Sequence, residues 1–225
     1  MPKEIKNTSS QYTSTKKNIN LGKSSKEINE SFKKANNFFE MGDFVHAVKE
    51  YKKAIELGAN FPEVFGNLGV ALLELSEFKE AVKYLEKCLS MGPIHKIPYI
   101  INYSLALFRS GDKKNALEVL SSVLGRTKDD HLEAIAHYHM GLFLIDSNPK
   151  KALKHFKTSL KFEENSLTYY EASCTFARLG KKGPAVTMLK KAFRLDSSLI
   201  KIALQDEDLK EIIHMPVIKH FLDQI

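Results

Sequence analysis

The most crowded set of ligand-type side chains in the chain is His131, Glu133, His137 and His139, the residue types from which zinc and nickel sites are built. Spacing argues against a shared ion. Residues two apart on a helix point about 200° away from each other, so His137 and His139 address opposite sides and only Glu133 and His137 share a face. No metal centre is expected. The fragment LGKSS at 21–25 resembles the end of a phosphate-binding loop, but Lys17 stands where that loop needs its first Gly. Cys88 and Cys174 lie far apart in apolar stretches, which suits packed, reduced thiols better than a disulfide framework. No Ser/His/Asp or Cys/His arrangement of recognisable spacing occurs. The expectation is a protein that is not an enzyme and carries no cofactor.

One charged pattern is regular. Lys150, Lys154, Lys157 and Lys161 are spaced 4, 3 and 4, along one helical face, and no acid lies between Asp146 and Glu163. A solvated outer face is the plain reading. The alternative is a basic accessory protein that touches an acidic protein, an anionic lipid or nucleic acid through this stripe and its tail. Specific nucleic-acid recognition is not expected, because these Lys residues are not interleaved with exposed aromatic residues or Arg.

The elements that carry these residues come next. The chain has 225 residues, 43% of them hydrophobic, which is ordinary for a folded chain with a sizeable core. Its formal charge of +7 is uneven, with six Lys and two Glu in residues 1–27. That Ser-, Thr- and Asn-rich segment has too little apolar surface to offset the entropy of ordering it, and reads as a disordered basic tail. No run reaches the roughly 18–20 apolar residues needed to span a bilayer, and the start lacks an uninterrupted apolar signal region. A cytoplasmic location is expected.

Internal repetition sets the architecture. Ala47, Ala81, Ala116, Ala152 and Ala185 recur at spacings of 34, 35, 36 and 33. Four residues after each stands a large side chain, Tyr51, Leu85, Leu120, Phe156 or Leu189, and three further on a modest one. Apolar residues at these intervals share one helical face. Twelve residues before the Ala comes Ala35, Gly69, Ser104 or Ser173, with Gly141 eleven before in the fourth unit, a one-residue deletion assigned to its turn. Antiparallel helices approach within about 8–10 Å only where small residues mark the crossing and large ones fill the flanks. The pattern specifies helical hairpins, with Gly42, Gly111 and Gly180 placed to end the first helix of their pairs and Pro149 to begin a second.

This set of residues resembles the tetratricopeptide repeat family, most clearly in KANNFFEMGDFVHAVKEYKKAIELG and NLGVALLELSEFKEAVKYLEKCLSMGP. The resemblance implies an all-α, right-handed α-solenoid of about five hairpins over 28–197 (28–61, 62–96, 97–131, 132–165 and 166–197), with residues 198–225 as a helical cap. Departures occur where the aromatic before the second helix becomes Lys113, Pro149 and Lys182, and where the Pro that closes a unit is clear only as Pro93.

In this family the first helix of each unit lines a concave groove. Carried over, the groove residues are Phe32, Asn36, Phe39, Val70, Leu73, Ile101, Leu105, Phe108, Tyr138, Leu142, Ile145, Tyr170 and Cys174. The implied function is a non-catalytic adaptor or scaffold that holds a protein partner's peptide or amphipathic helix in an apolar groove. Neighbouring repeats, the cap, or the tail around Tyr12, Ile19 and Leu21 could cover the same residues. A subset of the family clamps the acidic C-terminus of heat-shock chaperones. Asn36 and Asn67 match two clamp positions, but Phe32, Pro98 and Asn102 stand where that clamp has its cations, so this partner is not expected.

Overall fold

The spacing of the five Ala residues becomes helix crossings in the computed structural model, which describes residues 22–92 and 97–224. Helices α1 (Gly22–Glu40) and α2 (Phe44–Glu56) form the first hairpin, α3 (Pro62–Glu74) and α4 (Phe78–Ser90) the second, α5 (Ile97–Ser110) and α6 (Lys113–Ser121) the third. These belong to one compact unit that ends at Val123. A second unit, from Leu124 onward, pairs α7 (Asp130–Leu144) with α8 (Pro149–Phe162) and α9 (Ser166–Arg178) with α10 (Lys182–Leu195). It ends in short pieces: α11 (Leu199–Ala203), a 3-10 turn (Glu207–Leu209), α12 (Lys210–Ile213) and α13 (Pro216–Leu222). No strand occurs among the described residues.

The hairpins close on small residues. All five repeat Ala side chains are fully buried, as are the large residues four positions on. A Cβ added to Gly69 would sit 2.5 Å from Leu85 Cγ, and one added to Gly141 would sit 2.4 Å from the Phe156 ring. Neither crossing has room for a methyl group. In the fifth hairpin Ser173 fills the position and turns its hydroxyl to use, donating to the Ala185 carbonyl at 2.8 Å. Each fully buried Leu or Phe contributes about 1.5–3 kcal/mol by leaving water.

Helix ends follow local chemistry. Asp43, Asp112, Asn148 and Asn165 accept the backbone N–H three residues on, at 3.2, 3.2, 3.0 and 3.1 Å. Such caps are worth about 1 kcal/mol each. The first helices of hairpins one, three and five stop at Gly42, Gly111 and Gly180, with φ of 75°, 101° and 69°. In the second hairpin Ser76 holds the same left-handed conformation at φ 62°.

Three features differ from the sequence reading. Helix α1 starts at Gly22, before the expected boundary at residue 28. In the fourth hairpin α7 stops three residues after Gly141, whereas α3 runs five beyond Gly69, and the turn that follows is one residue longer, so the missing residue comes out of the helix end and not out of the turn. Within the segment read as the cap, Val217 is 43% exposed although apolar, while Leu209, Ile212, Ile218 and Phe221 supply the buried side. The tail over 1–21, with Tyr12, Ile19 and Leu21, and Pro93 lie outside the described residues.

Candidate partner-binding face

Stacking has already claimed most of the apolar residues read as groove lining. In the first unit Val70, Leu73, Ile101 and Leu105 are 5% exposed or less, and Phe39 is buried at 8%. The first helices of adjacent hairpins approach closely enough to enclose them, α1 against α3 and α3 against α5. Gly66 shows how close. A Cβ there would lie 2.3 Å from the Tyr99 ring, so this position is small because the next hairpin's Tyr occupies the space. Phe32, Asn36 and Phe108 remain partly exposed.

A polar ladder joins the three hairpins of this unit. Asn36 Oδ1 accepts from Tyr51 Oη at 2.6 Å and from Asn67 Nδ2 at 3.2 Å, and Asn67 Oδ1 accepts from Tyr99 Oη at 2.9 Å. Both Tyr rings are buried, and burial pushes the Tyr51 hydroxyl well above its ordinary range, which keeps it protonated as a donor. With its oxygen accepting twice, the Asn36 amide is fixed in orientation. Its Nδ2 keeps two donors with no partner among the described residues, beside the partly exposed Phe32 ring, which packs edge-on to Phe61 at 5.0 Å. Asn102, the third Asn of this series, is buried and donates to the Pro98 carbonyl at 3.1 Å.

In the second unit Tyr138 is buried, whereas Leu142 and Ile145 keep partly exposed surface along α7. Tyr170 and Cys174 on α9 are closed off by the chain's own cap. Tyr170 Oη donates to Asp206 Oδ2 at 2.7 Å, and Cys174 Sγ lies 3.6 Å from the same oxygen. Burial, reinforced by neighbouring carboxylates, pushes the Cys174 thiol far above its usual range, so it is an inert packed thiol. Arg178 donates from Nε to Asp208 at 2.6 Å and from Nη1 to Asp146 at 3.1 Å, tying the cap to α9 and to the turn after α7. Lys182 pairs with Glu211 at 2.8 Å.

The histidines of α7 go to separate neighbours. His131 meets Glu163, His137 Nδ1 lies 2.9 Å from His155 Nδ1, and His139 packs against Tyr138 and Phe143. Burial lowers the pKa of both His137 and His155, the latter to about 4, so the contact joins two neutral rings. Glu133 turns one oxygen toward the Thr127 backbone N–H at 3.3 Å, and its other oxygen is 3.9 Å from His137 Nε2. Among the described residues no group of three or more His, Cys, Asp or Glu could hold a metal ion. Lys150, Lys154, Lys157 and Lys161 are exposed on α8.

Sequence periodicity did not reveal the Tyr51–Asn36–Asn67–Tyr99 ladder or the placing of Glu171 in the field of Asp206. A repeat-aligned reading carries one signal for the latter. Glu171 is the only acid at a register position that holds Lys33, Asn67, Asn102 and His139 in the other units.

With this geometry in hand, comparison with known proteins gives a consistent result. Residues 35–76 match a family model described as TPR repeat, and residues 62–95 match the tetratricopeptide repeat. Human protein O-mannosyl-transferase TMTC3 is 24% identical over 158 residues, covering 69% of this chain but only 17% of that protein. Among solved structures, MamA from Desulfovibrio magneticus RS-1 aligns with a TM-score of 0.65 and 22% identity, covering 80% of this chain and 98% of that one. YrrB, described as a TPR protein with an unusual peptide-binding site, aligns at 0.57 and 22%, covering 78% and 93%. Pseudomonas aeruginosa pilF aligns at 0.62 and 16%, covering 90% and 99%. No helix among the described residues is long and apolar enough to cross a membrane. Small residues at each crossing, matched repeats and shared fold agree: residues 35–95 carry tetratricopeptide repeats, and the chain has the fold class of an all-α solenoid.

Proposed function

We propose that the chain is a non-catalytic protein-binding scaffold that holds a segment of a partner against the inner faces of its first helices. The observation that carries this reading is Asn36. Its amide is locked by Tyr51 and Asn67, and it presents two unused donors next to a partly exposed aromatic ring. A fixed donor beside an apolar contact suits the main-chain carbonyl of an extended peptide, which supplies an acceptor at every residue. Phe108 on α5 is the further contact in this unit, since Phe39, Val70, Leu73, Ile101 and Leu105 are enclosed by the chain itself. The peptide-binding site ascribed to YrrB makes this a use to which the fold has been put elsewhere. The positions of the chaperone clamp hold Phe32, Pro98 and Asn102, which have no charge to offer a carboxylate.

Asn36→Asp is the informative variant. It keeps the oxygen that accepts from both Tyr51 and Asn67 but replaces the amide donors with a second, negatively charged oxygen that repels carbonyls. Affinity purification from native extract with the full chain, with this variant and with Phe108→Asp is expected to show the same co-eluting proteins lost in both variants. Retention of all of them, with unchanged circular dichroism, overturns the reading.

A further inference from the structure

Asn36 is fixed in a way that limits what it can hold. A side-chain amide with both ends free can bracket a peptide unit, donating to its carbonyl and accepting from its N–H. Here the accepting end is spent. Oδ1 takes the Tyr51 hydroxyl at 2.6 Å and the Asn67 amide at 3.2 Å, so only the Nδ2 donors remain. The next acceptor of the ladder is closed as well, since Asn67 Oδ1 takes the Tyr99 hydroxyl at 2.9 Å and Asn67 is 3% exposed. One turn before Asn36, on the same face of α1, stands the partly exposed Phe32 ring. It meets the partly exposed Phe61 ring edge-on at 5.0 Å and the buried Tyr51 ring at 5.9 Å. This corner of the first unit therefore pairs amide donors with aromatic surface, and the ladder leaves no Asn oxygen to receive an N–H.

That one-sided chemistry selects among occupants. A helix seated here leaves the Asn36 donors unpaired, because its own N–H groups already hold all but its last carbonyls. A strand-like segment of ordinary residues brings an N–H with every carbonyl, and an inward-turned N–H meets no Asn oxygen. A prolyl residue brings the carbonyl without the N–H, its φ is already set at about −65°, and its ring is an apolar plate that packs on aromatic surface. Successive prolines form the polyproline II helix, which is extended and has no internal hydrogen bonds, so its carbonyls are open to a donor. Such a segment is ordered before it binds, which is why aromatic-lined grooves hold it at low entropic cost. We propose that the segment held at this corner is proline-containing, with a carbonyl on Asn36 Nδ2 and a pyrrolidine ring against Phe32 and Phe61. This rests on the reading that the inner faces of the first helices bind a partner segment, and it adds the segment's chemistry.

The test uses the full chain and two labelled probes, acetylated and amidated decaproline and a Gly-Ser repeat of equal length, in fluorescence anisotropy. Decaproline is expected to bind about tenfold more tightly than the Gly-Ser peptide, which keeps its N–H groups and has no preset conformation. Asn36→Asp is expected to remove that preference, and Phe32→Leu, which keeps an apolar side chain but loses the ring, to reduce it about fivefold. Phe162→Leu, at a 40% exposed aromatic on α8, is expected to leave it unchanged. Circular dichroism of each variant shows that the helices are retained. Equal binding of the two probes overturns the proposal, as does decaproline binding that neither Asn36→Asp nor Phe32→Leu weakens. Absence of decaproline binding to the wild-type chain overturns it too. The two readings fail separately. If Asn36→Asp loses the co-eluting proteins of native extract while the wild-type chain shows no preference for decaproline, the inner-face reading stands and the proline inference falls. If decaproline binding needs Asn36 and Phe32 while Asn36→Asp still captures every co-eluting protein, the proline site stands and the inner-face reading of native capture falls.

Discussion

Gly69 and Leu85 meet so closely that a Cβ on the first would sit 2.5 Å from Cγ of the second and 3.2 Å from its backbone nitrogen. The contact is with the root of a buried side chain and with main chain, neither of which can swing away. Gly69→Ala is therefore expected to destabilise the fold by about 1–3 kcal/mol despite the better helix propensity of Ala. A thermal melt that does not shift downward would mean that the two helices of this hairpin can separate freely.

Ser76 gives the opposite sign. It holds φ 62° at the end of α3, where three other hairpins place a Gly. An L-residue there costs about 1–2 kcal/mol that Gly does not pay. Ser76→Gly is expected to raise stability by roughly 1 kcal/mol, read as a higher denaturation midpoint with an unchanged slope.

Tyr99→Phe removes one hydroxyl and leaves Asn67 Oδ1 without its donor in a site where Asn67 is 3% exposed. The expected loss is about 1–3 kcal/mol, more than the hydrogen bond itself contributes, because the acceptor stays desolvated. Chemical denaturation checks it.

The pH dependence carried by Glu171 has a definite direction. Its folded pKa is raised from 4.5 to about 7. The neutral form is thus favoured by folding, so its contribution is fully present below the ordinary value and is lost as pH rises through about 7. Glu171→Gln, which mimics the neutral form, is expected to stabilise the chain above pH 7 by up to about 3 kcal/mol and to make little difference near pH 4. Paired melts at the two pH values read this directly.

The Lys stripe on α8 separates two functional readings. If the inner faces carry binding, Lys154→Gln with Lys157→Gln leaves partner capture unchanged within about twofold, since exposed charges contribute little individually. A loss of capture would move the contact to the outer side of the fourth hairpin.

The hairpins were legible in the sequence because their determinant is local and repeated. A small residue, a large one four positions on and a turn that tolerates positive φ recur with each unit, and Ala47 and Ala152 occupy equivalent places although their surroundings share few identities. Exposure was not legible in the same way. Val70 and Leu105 read as groove lining by register, yet each is enclosed by neighbouring helices, and nothing within one repeat reports how tightly the next one stacks. Gly66 makes the point, since its smallness answers to Tyr99, 33 residues later. The pairing of Tyr170 with Asp206 was further out of reach because the cap breaks the period, leaving no register by which to align Asp206 with anything.

The hydrogen bonds among Tyr51, Asn36, Asn67 and Tyr99 have a consequence for how the first unit opens. They link side chains from three successive hairpins, so unravelling the first leaves acceptors and donors of the second stranded, and opening the third strips Asn67 in turn. In a chain where each hairpin touches only its neighbours, coupling of this kind decides whether the ends fray singly or the block melts together. Amide protons of α1, α3 and α5 should then exchange with solvent at one common free energy, a single foldon rather than three steps in a staircase.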